Sequence, residues 1–152
     1  MHQDPLYFDD LAVGMRFSTG TLTMTEDEII AFARLYDAQP FHTDKVRARD
    51  SLFGELVASG WHTAAMSMRL LIASGPRFAG GIVGTGGELL WPRPVRPGDT
   101  LRVVTEILAL TPSRSRPDRG SVQIRNETRN QEDEVVQSFS PRLVVPRRPG
   151  SS

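Results

Sequence analysis

An aspartate and a histidine stand close together in the stretch Tyr36-Asp37-Ala38-Gln39-Pro40-Phe41-His42. A carboxylate and an imidazole can hold one water molecule between them and move its proton, and imidazole has the side-chain pKa nearest neutrality. Their spacing is not that of a helix face. Pro40 restricts Gln39 to an extended conformation, so the segment turns and can bring Asp37 and His42 to one point. On spacing alone, an aspartate at a helix boundary beside an ordinary loop histidine is the more common arrangement. A second candidate is Ser59-Gly60, which opens an apolar run. A helix N-terminus carries unpaired N–H groups and partial positive charge. Glycine there lets another molecule approach the backbone, which makes the Gly60 N–H a candidate donor to a developing oxyanion. The plainer alternative is a helix start where glycine merely packs. A third signal is an absence: no Asp or Glu occurs from Leu56 to Gly87. A carboxylate for this region must come from elsewhere, and Asp37 is the nearest functional candidate.

Other groups point less clearly to chemistry. His2 is terminal, and His62 falls in the first turn of the apolar run, where a packed histidine is expected. The three histidines show no His-x-x-x-His spacing, so no metal site is expected. Gly80–Gly87 (GGIVGTGG) lacks the Lys-Ser/Thr of a phosphate loop and reads as a flexible connection into a strand. Ser113–Gly120 (SRSRPDRG) holds three arginines. It reads as a solvated hairpin tip or, alternatively, as a phosphate contact.

Positioning these residues requires a helical first half and a stranded second half. Arg16–Met24 is strand-like. Thr25 with Glu28 three residues on forms a capping-box pattern. Ile29, Phe32, Ala33 and Tyr36 then place an amphipathic helix over Glu26–Tyr36. Thr43–Ser51 suits a helical turn or two. Ser59–Ser74 is apolar on most sides, which predicts a buried helix, ended by Gly75-Pro76. Leu89–Trp91, Thr100–Leu110, Gly120–Arg129 and Glu134–Val145 read as strands, with turns at Pro97–Asp99 and Asn130–Asp133. Helices followed by antiparallel strands predict an α+β domain, with the apolar helix on one face of the sheet. The domain is expected over 1–145, and Pro146–Ser152 as a disordered tail.

Composition narrows the function. A chain of 152 residues suits one domain. Eighteen basic residues balance eighteen acidic ones, which argues against a nucleic-acid binder held by a global positive field. No cysteine is present, which removes thiolate catalysis, disulfides and cysteine-ligated metals. The acidic start lacks a secretory pattern, and the apolar stretch Trp61–Ala73 is shorter than the ~20 residues a bilayer span needs. A soluble cytoplasmic protein without membrane attachment is expected.

Together the motifs resemble the MaoC-like hydratases, which include the (R)-specific enoyl-CoA hydratases. That family's motif, Asp-x-Asn-Pro-aliphatic-His followed after five residues by Ala or Ser, is similar to Asp37-Ala38-Gln39-Pro40-Phe41-His42 and Ala48. Ala58-Ser59-Gly60-Trp61 resembles the start of its central helix, and the stretch from Trp91 to Leu101 resembles its strand and turn. The resemblance spans about residues 8–145. It implies a hot-dog fold, an antiparallel sheet wrapped round one long helix, in a homodimer with joined sheets that can assemble further. It implies Asp37 and His42 as the catalytic pair, Gly60 as the donor to the thioester oxygen, and Gln39, Phe41, Ser59 and Trp61 beside the substrate. The implied reaction is syn hydration of a trans-2-enoyl-CoA to an (R)-3-hydroxyacyl-CoA, or its reverse. CoA enters only as part of the acyl-CoA substrate, and neither metal nor redox cofactor is implied. Gln39 stands where Asn is usual, Phe41 where a smaller aliphatic residue is usual, and Tyr36 where a small residue is usual. Met68 stands at a position that often carries Ser, with Ser67 beside it. These departures bear on the acyl pocket more than on the pair. The alternatives are a hot-dog thioesterase, disfavoured by the carboxylate-free helix, and a non-catalytic acyl-CoA-binding subunit, disfavoured by retention of both Asp37 and His42.

Overall fold

The computed structural model describes residues 4–150. Helix α1 covers Glu26–Tyr36, as its periodicity predicts. The Thr25 hydroxyl accepts from the Glu28 N–H at 3.3 Å, the forward half of the expected capping box. Ile29 and Ala33 form its buried face. Two single turns follow, α2 (Pro40–Thr43) and α3 (Lys45–Ala48). Pro40 sits at the start of α2, where a missing N–H costs nothing. Asp44 caps α3, accepting from Val46 and Arg47 at 3.0 and 3.1 Å. The long helix α4 runs over Gly60–Ser74 with Ser59 as its N-cap.

Six strands complete the domain: β1 (Arg16–Ser18), β2 (Leu22–Thr23), β3 (Gly84–Leu90), β4 (Thr100–Pro112), β5 (Arg119–Arg129) and β6 (Val135–Pro146). They form an antiparallel sheet in the order β1-β4-β5-β6-β3, with β2 also on β4. Along β5 every second residue is buried, Val122 and Ile124 among them, the period-2 pattern of a sheet with one covered face. On the other face Arg125 pairs with Glu106 and Arg129 with Glu127, both at 2.6 Å. Helix α4 lies on the covered face and shares a core with Met24, Ile29, Leu101, Val103 and Val136. A second cluster, Phe8, Ile107, Val122, Ile124, Leu143 and Val145, fills the far end of the sheet. The sheet packed round one long helix is the hot-dog arrangement. Among the described residues no helix is long and apolar enough to cross a membrane.

Three expectations change. First, the glycine-rich stretch belongs to β3 from Gly84 on, with a register shift between Gly84 and Gly87 against β6. A Cβ on Gly87 would lie 2.6 Å from backbone of Ser140 and Pro141, so glycine admits a close strand approach there. Second, α4 does not bury its most apolar stripe. Trp61, Met68 and Ile72 are exposed, while His62, Thr63, Ser67, Leu70 and Leu71 face inward. The inward Ser67 finds partners: its Oγ lies 2.6 Å from Thr128 Oγ1 and donates to the Thr63 carbonyl at 2.8 Å. Third, the segment expected as a loose tail is tied down through Arg148. Pro146 ends β6, Arg147 pairs with Asp9 and Arg148 with Asp10, both at 2.8 Å. Ser151 and Ser152 lie outside the described residues, as does His2.

Candidate active site

Asp37 is the residue that ends α1. Its φ of −158° and ψ of 67° leave the helix, while its N–H still reaches the Ala33 carbonyl at 2.8 Å. The chain then turns through Gln39-Pro40 into α2, where His42 is buried. The turn brings His42 Nε2 to 3.3 Å from Asp37 Oδ2, with 7% and 17% of the two side chains exposed. His42 Nδ1 lies 2.7 Å from the Val57 carbonyl. A carbonyl can only accept, so Nδ1 carries a proton and donates it. In the neutral ring Nε2 is therefore the basic nitrogen, and it faces the carboxylate.

The carboxylate is held from two further sides. Ser59 Oγ donates to Asp37 Oδ2 at 2.7 Å, and Gln39 Nε2 donates to Oδ1 at 2.7 Å. Burial pushes the Asp37 carboxyl up, but the hydrogen bonds from Ser59 and Gln39 and the nearby His42 outweigh it and hold the group below the ordinary carboxylate range.

Four consecutive residues connect these parts. Val57 supplies the carbonyl that fixes the His42 tautomer, Ala58 anchors the segment on the Val95 carbonyl at 2.8 Å, Ser59 grips Asp37, and Gly60 opens α4. Gly60 is the first helical residue, so its N–H has no partner within the helix, and no bond from it to another described residue is formed. A cavity of about 320 Å³ opens here, lined by His42, Phe53, Gly60, Thr63, Trp91 and Val136 among others. Its volume lies in the range of small-ligand sites. The Trp91 ring lies against Gly60 so closely that a Cβ there would come within 2.5 Å of it. The indole is aimed by its own N–H, which donates to Gln137 Oε1 at 3.0 Å.

Residues 10–131 match the model of the MaoC like domain. The chain belongs to the MaoC-like family. Among solved structures, the MaoC-like dehydratase from Rhodospirillum rubrum is 55% identical and superposes with a TM-score of 0.93, over 95% of this chain and 99% of that one. The uncharacterized protein YdeM of Bacillus subtilis is 32% identical over 90% of this chain and 95% of its own length. The 3-hydroxybutyryl-CoA dehydratase of Methylorubrum extorquens is 34% identical over 73% of this chain and 69% of its own.

Against the family motif, the structure brings Asp37, His42 and Gly60 into one region. The four residues expected beside the substrate surround the pair and the cavity mouth through these contacts. Gln39 and Ser59 are bound to the Asp37 carboxylate. Phe41 packs edge-on against His42 with ring centroids 4.5 Å apart, and leans on the core. Trp61 is 59% exposed and meets Trp91 edge-on at 5.1 Å. The arginine-rich loop joins β4 to β5 at the end of the sheet where Arg119 pairs with Pro146. Val136, at the start of β6, lines the cavity, and the length of β6 separates the two by about 30 Å. Within one chain the loop lies far from this site. Sequence reasoning missed Trp91, Gln137 and Thr63 as site residues. The Trp91-Pro92 pair was a usable signal for an exposed aromatic. The Val57 carbonyl carries no signal in a sequence.

Proposed function

We propose that this MaoC-like protein is a hydro-lyase that reversibly adds water to a trans-2-enoyl-CoA, giving an (R)-3-hydroxyacyl-CoA. The observation that carries the reading is the meeting at one cavity of a basic imidazole nitrogen, backed by the clamped Asp37 carboxylate, and an unpaired helix N-terminal N–H. The dehydratase relative from Methylorubrum supports the substrate class. The thioester oxygen would accept from the Gly60 N–H, and the conjugated C3 would face a water held at His42 Nε2. Nε2 takes a proton from the water as the oxygen bonds to C3, and the displaced π electrons move through C2 to the thioester oxygen. Nε2 then returns its proton to C2 on the same face as the entering oxygen. Asp37 stays ionised throughout and stabilises the transient imidazolium. This division follows from basicity: a carboxyl held below its ordinary range is a poor proton acceptor near neutrality, where imidazole is a good one.

A homodimer belongs to the same reading. The exposed Trp61, Met68 and Ile72 on α4, Leu90 at the end of the edge strand β3 and Val83 just before it offer a second copy an apolar surface and an open sheet edge. The test of the reaction is crotonyl-CoA in D2O, with free thiol monitored. The expected product is 3-hydroxybutyryl-CoA of (R) configuration with one deuteron at C2 and no thiol released. Thiol release without hydration would make the protein a thioesterase.

A further inference from the structure

Ser59 does more than cap a helix. An N-cap serine ordinarily accepts a bond from an N–H of the first turn, and Ser59 Oγ does so from Trp61 at 3.3 Å. Its single hydroxyl proton is directed elsewhere, into Asp37 Oδ2 at 2.7 Å, across 22 residues of chain. That oxygen is the one facing His42 Nε2. The residue is fully buried, so no water can replace the hydroxyl freely. We propose that Ser59 is a positioning residue for the Asp37–His42 pair, locking the carboxylate rotamer that faces the imidazole and linking Asp37 to the N-terminal dipole of α4. The proposal rests on the hydratase reading for its catalytic consequence, though not for its geometry.

The chain of donors runs in one direction, from the Trp61 N–H to the Ser59 hydroxyl to the Asp37 carboxylate. Each link polarises the next, and the positive end of α4 favours the charged form of Asp37. Gln39 cannot substitute for this arrangement. Its amide reaches only Oδ1 and it is exposed, so without Ser59 the carboxylate would be free to rotate away from His42. The groups facing Asp37 are the His42 ring from α2, the Gln39 amide from the turn and the Ser59 hydroxyl from α4; His42 is the one titratable group among them.

The test uses Ser59→Ala and Ser59→Gly in the full chain. Glycine is a tolerable N-cap, close to serine in its preference for that position, so the second variant keeps the helix start while removing the hydroxyl. Two readouts are taken: the titration midpoint of the Asp37 carboxyl, followed by carbon-13 NMR with Asp37→Asn for assignment, and the pH profile of kcat/KM for crotonyl-CoA. In both variants the midpoint should move upward, because a donor to the charged form is lost. Across the profile kcat/KM should fall, by roughly ten- to a hundredfold at neutral pH. A midpoint unchanged in both folded variants would reduce Ser59 to a helix cap and overturn the proposal. A shifted midpoint in a protein whose wild type hydrates no enoyl-CoA would keep the positioning of Asp37 and sink the hydratase reading instead.

Discussion

Asp37 and His42 differ in how their remaining bonding positions are used, and the difference assigns their roles. His42 spends Nδ1 on the Val57 carbonyl and keeps Nε2 basic, whereas both oxygens of Asp37 already accept a donor. Asp37→Asn keeps the shape but removes the charge that would stabilise the imidazolium. The expected loss in kcat/KM for crotonyl-CoA is about 10²–10⁴-fold, with isothermal titration showing little change in binding of a saturated analogue, butyryl-CoA. The same charge has a consequence for stability. The folded Asp37 carboxyl lies below its unfolded value, so its contribution is present above the ordinary aspartate range and is lost as pH falls through the lower, folded value. That Asp37 and His42 could meet was legible because Pro40 dictates a turn, whereas their role as a pair came only from the motif's resemblance to a family. The clamp was not, because a serine before a glycine at a helix start looks the same whether its proton goes to solvent or to a distant carboxylate.

Helix α4 was legible in extent and misleading in orientation. Its ends follow from Ser59 and Gly75-Pro76, and the start at Gly60 and end at Ser74 match. Its faces were obscured because Thr63 and Ser67 look like surface residues, yet Ser67 is buried against Thr128 and Gln137. Two predictions belong to this helix. Gly60→Ala would drive a Cβ into the Trp91 ring. It should raise KM and lower kcat together, and Trp91 fluorescence should change while far-ultraviolet circular dichroism stays the same. His62 is buried in the first turn, stacked on Phe32 at 4.5 Å, with Nδ1 unpaired. Burial lowers its pKa below the ordinary histidine value, only partly opposed by Glu28. The unfolded chain therefore takes a proton more readily than the folded one. Stability from this group is complete above about pH 6.5 and declines as pH falls from there toward the folded value. His62→Phe should keep the stack and lose less thermal stability than wild type between about pH 7.5 and 5, as read by thermal melts. Strand β3 was the least legible element, because glycines that serve a close strand approach read as a loop.

At the scale of the molecule, the α+β architecture followed from helices preceding strands, whereas the exposed apolar stripe of α4 did not, because it is visible only once the helix is seen against its sheet. If that stripe joins two copies, Ile72→Glu should shift sedimentation from dimer to monomer. Val13→Glu should not, although Val13 is similarly exposed at 64% against 69% for Ile72. Equal behaviour of the two variants would remove α4 from the interface. The proposed hydration turns on one basic nitrogen at one cavity. The most direct measurement is the loss of conjugated-thioester absorbance of crotonyl-CoA with wild type and His42→Ala at neutral pH, both confirmed folded. Absorbance loss in wild type, reduced at least about a hundredfold in the variant, is the predicted result. Hydration persisting undiminished in His42→Ala would contradict the account.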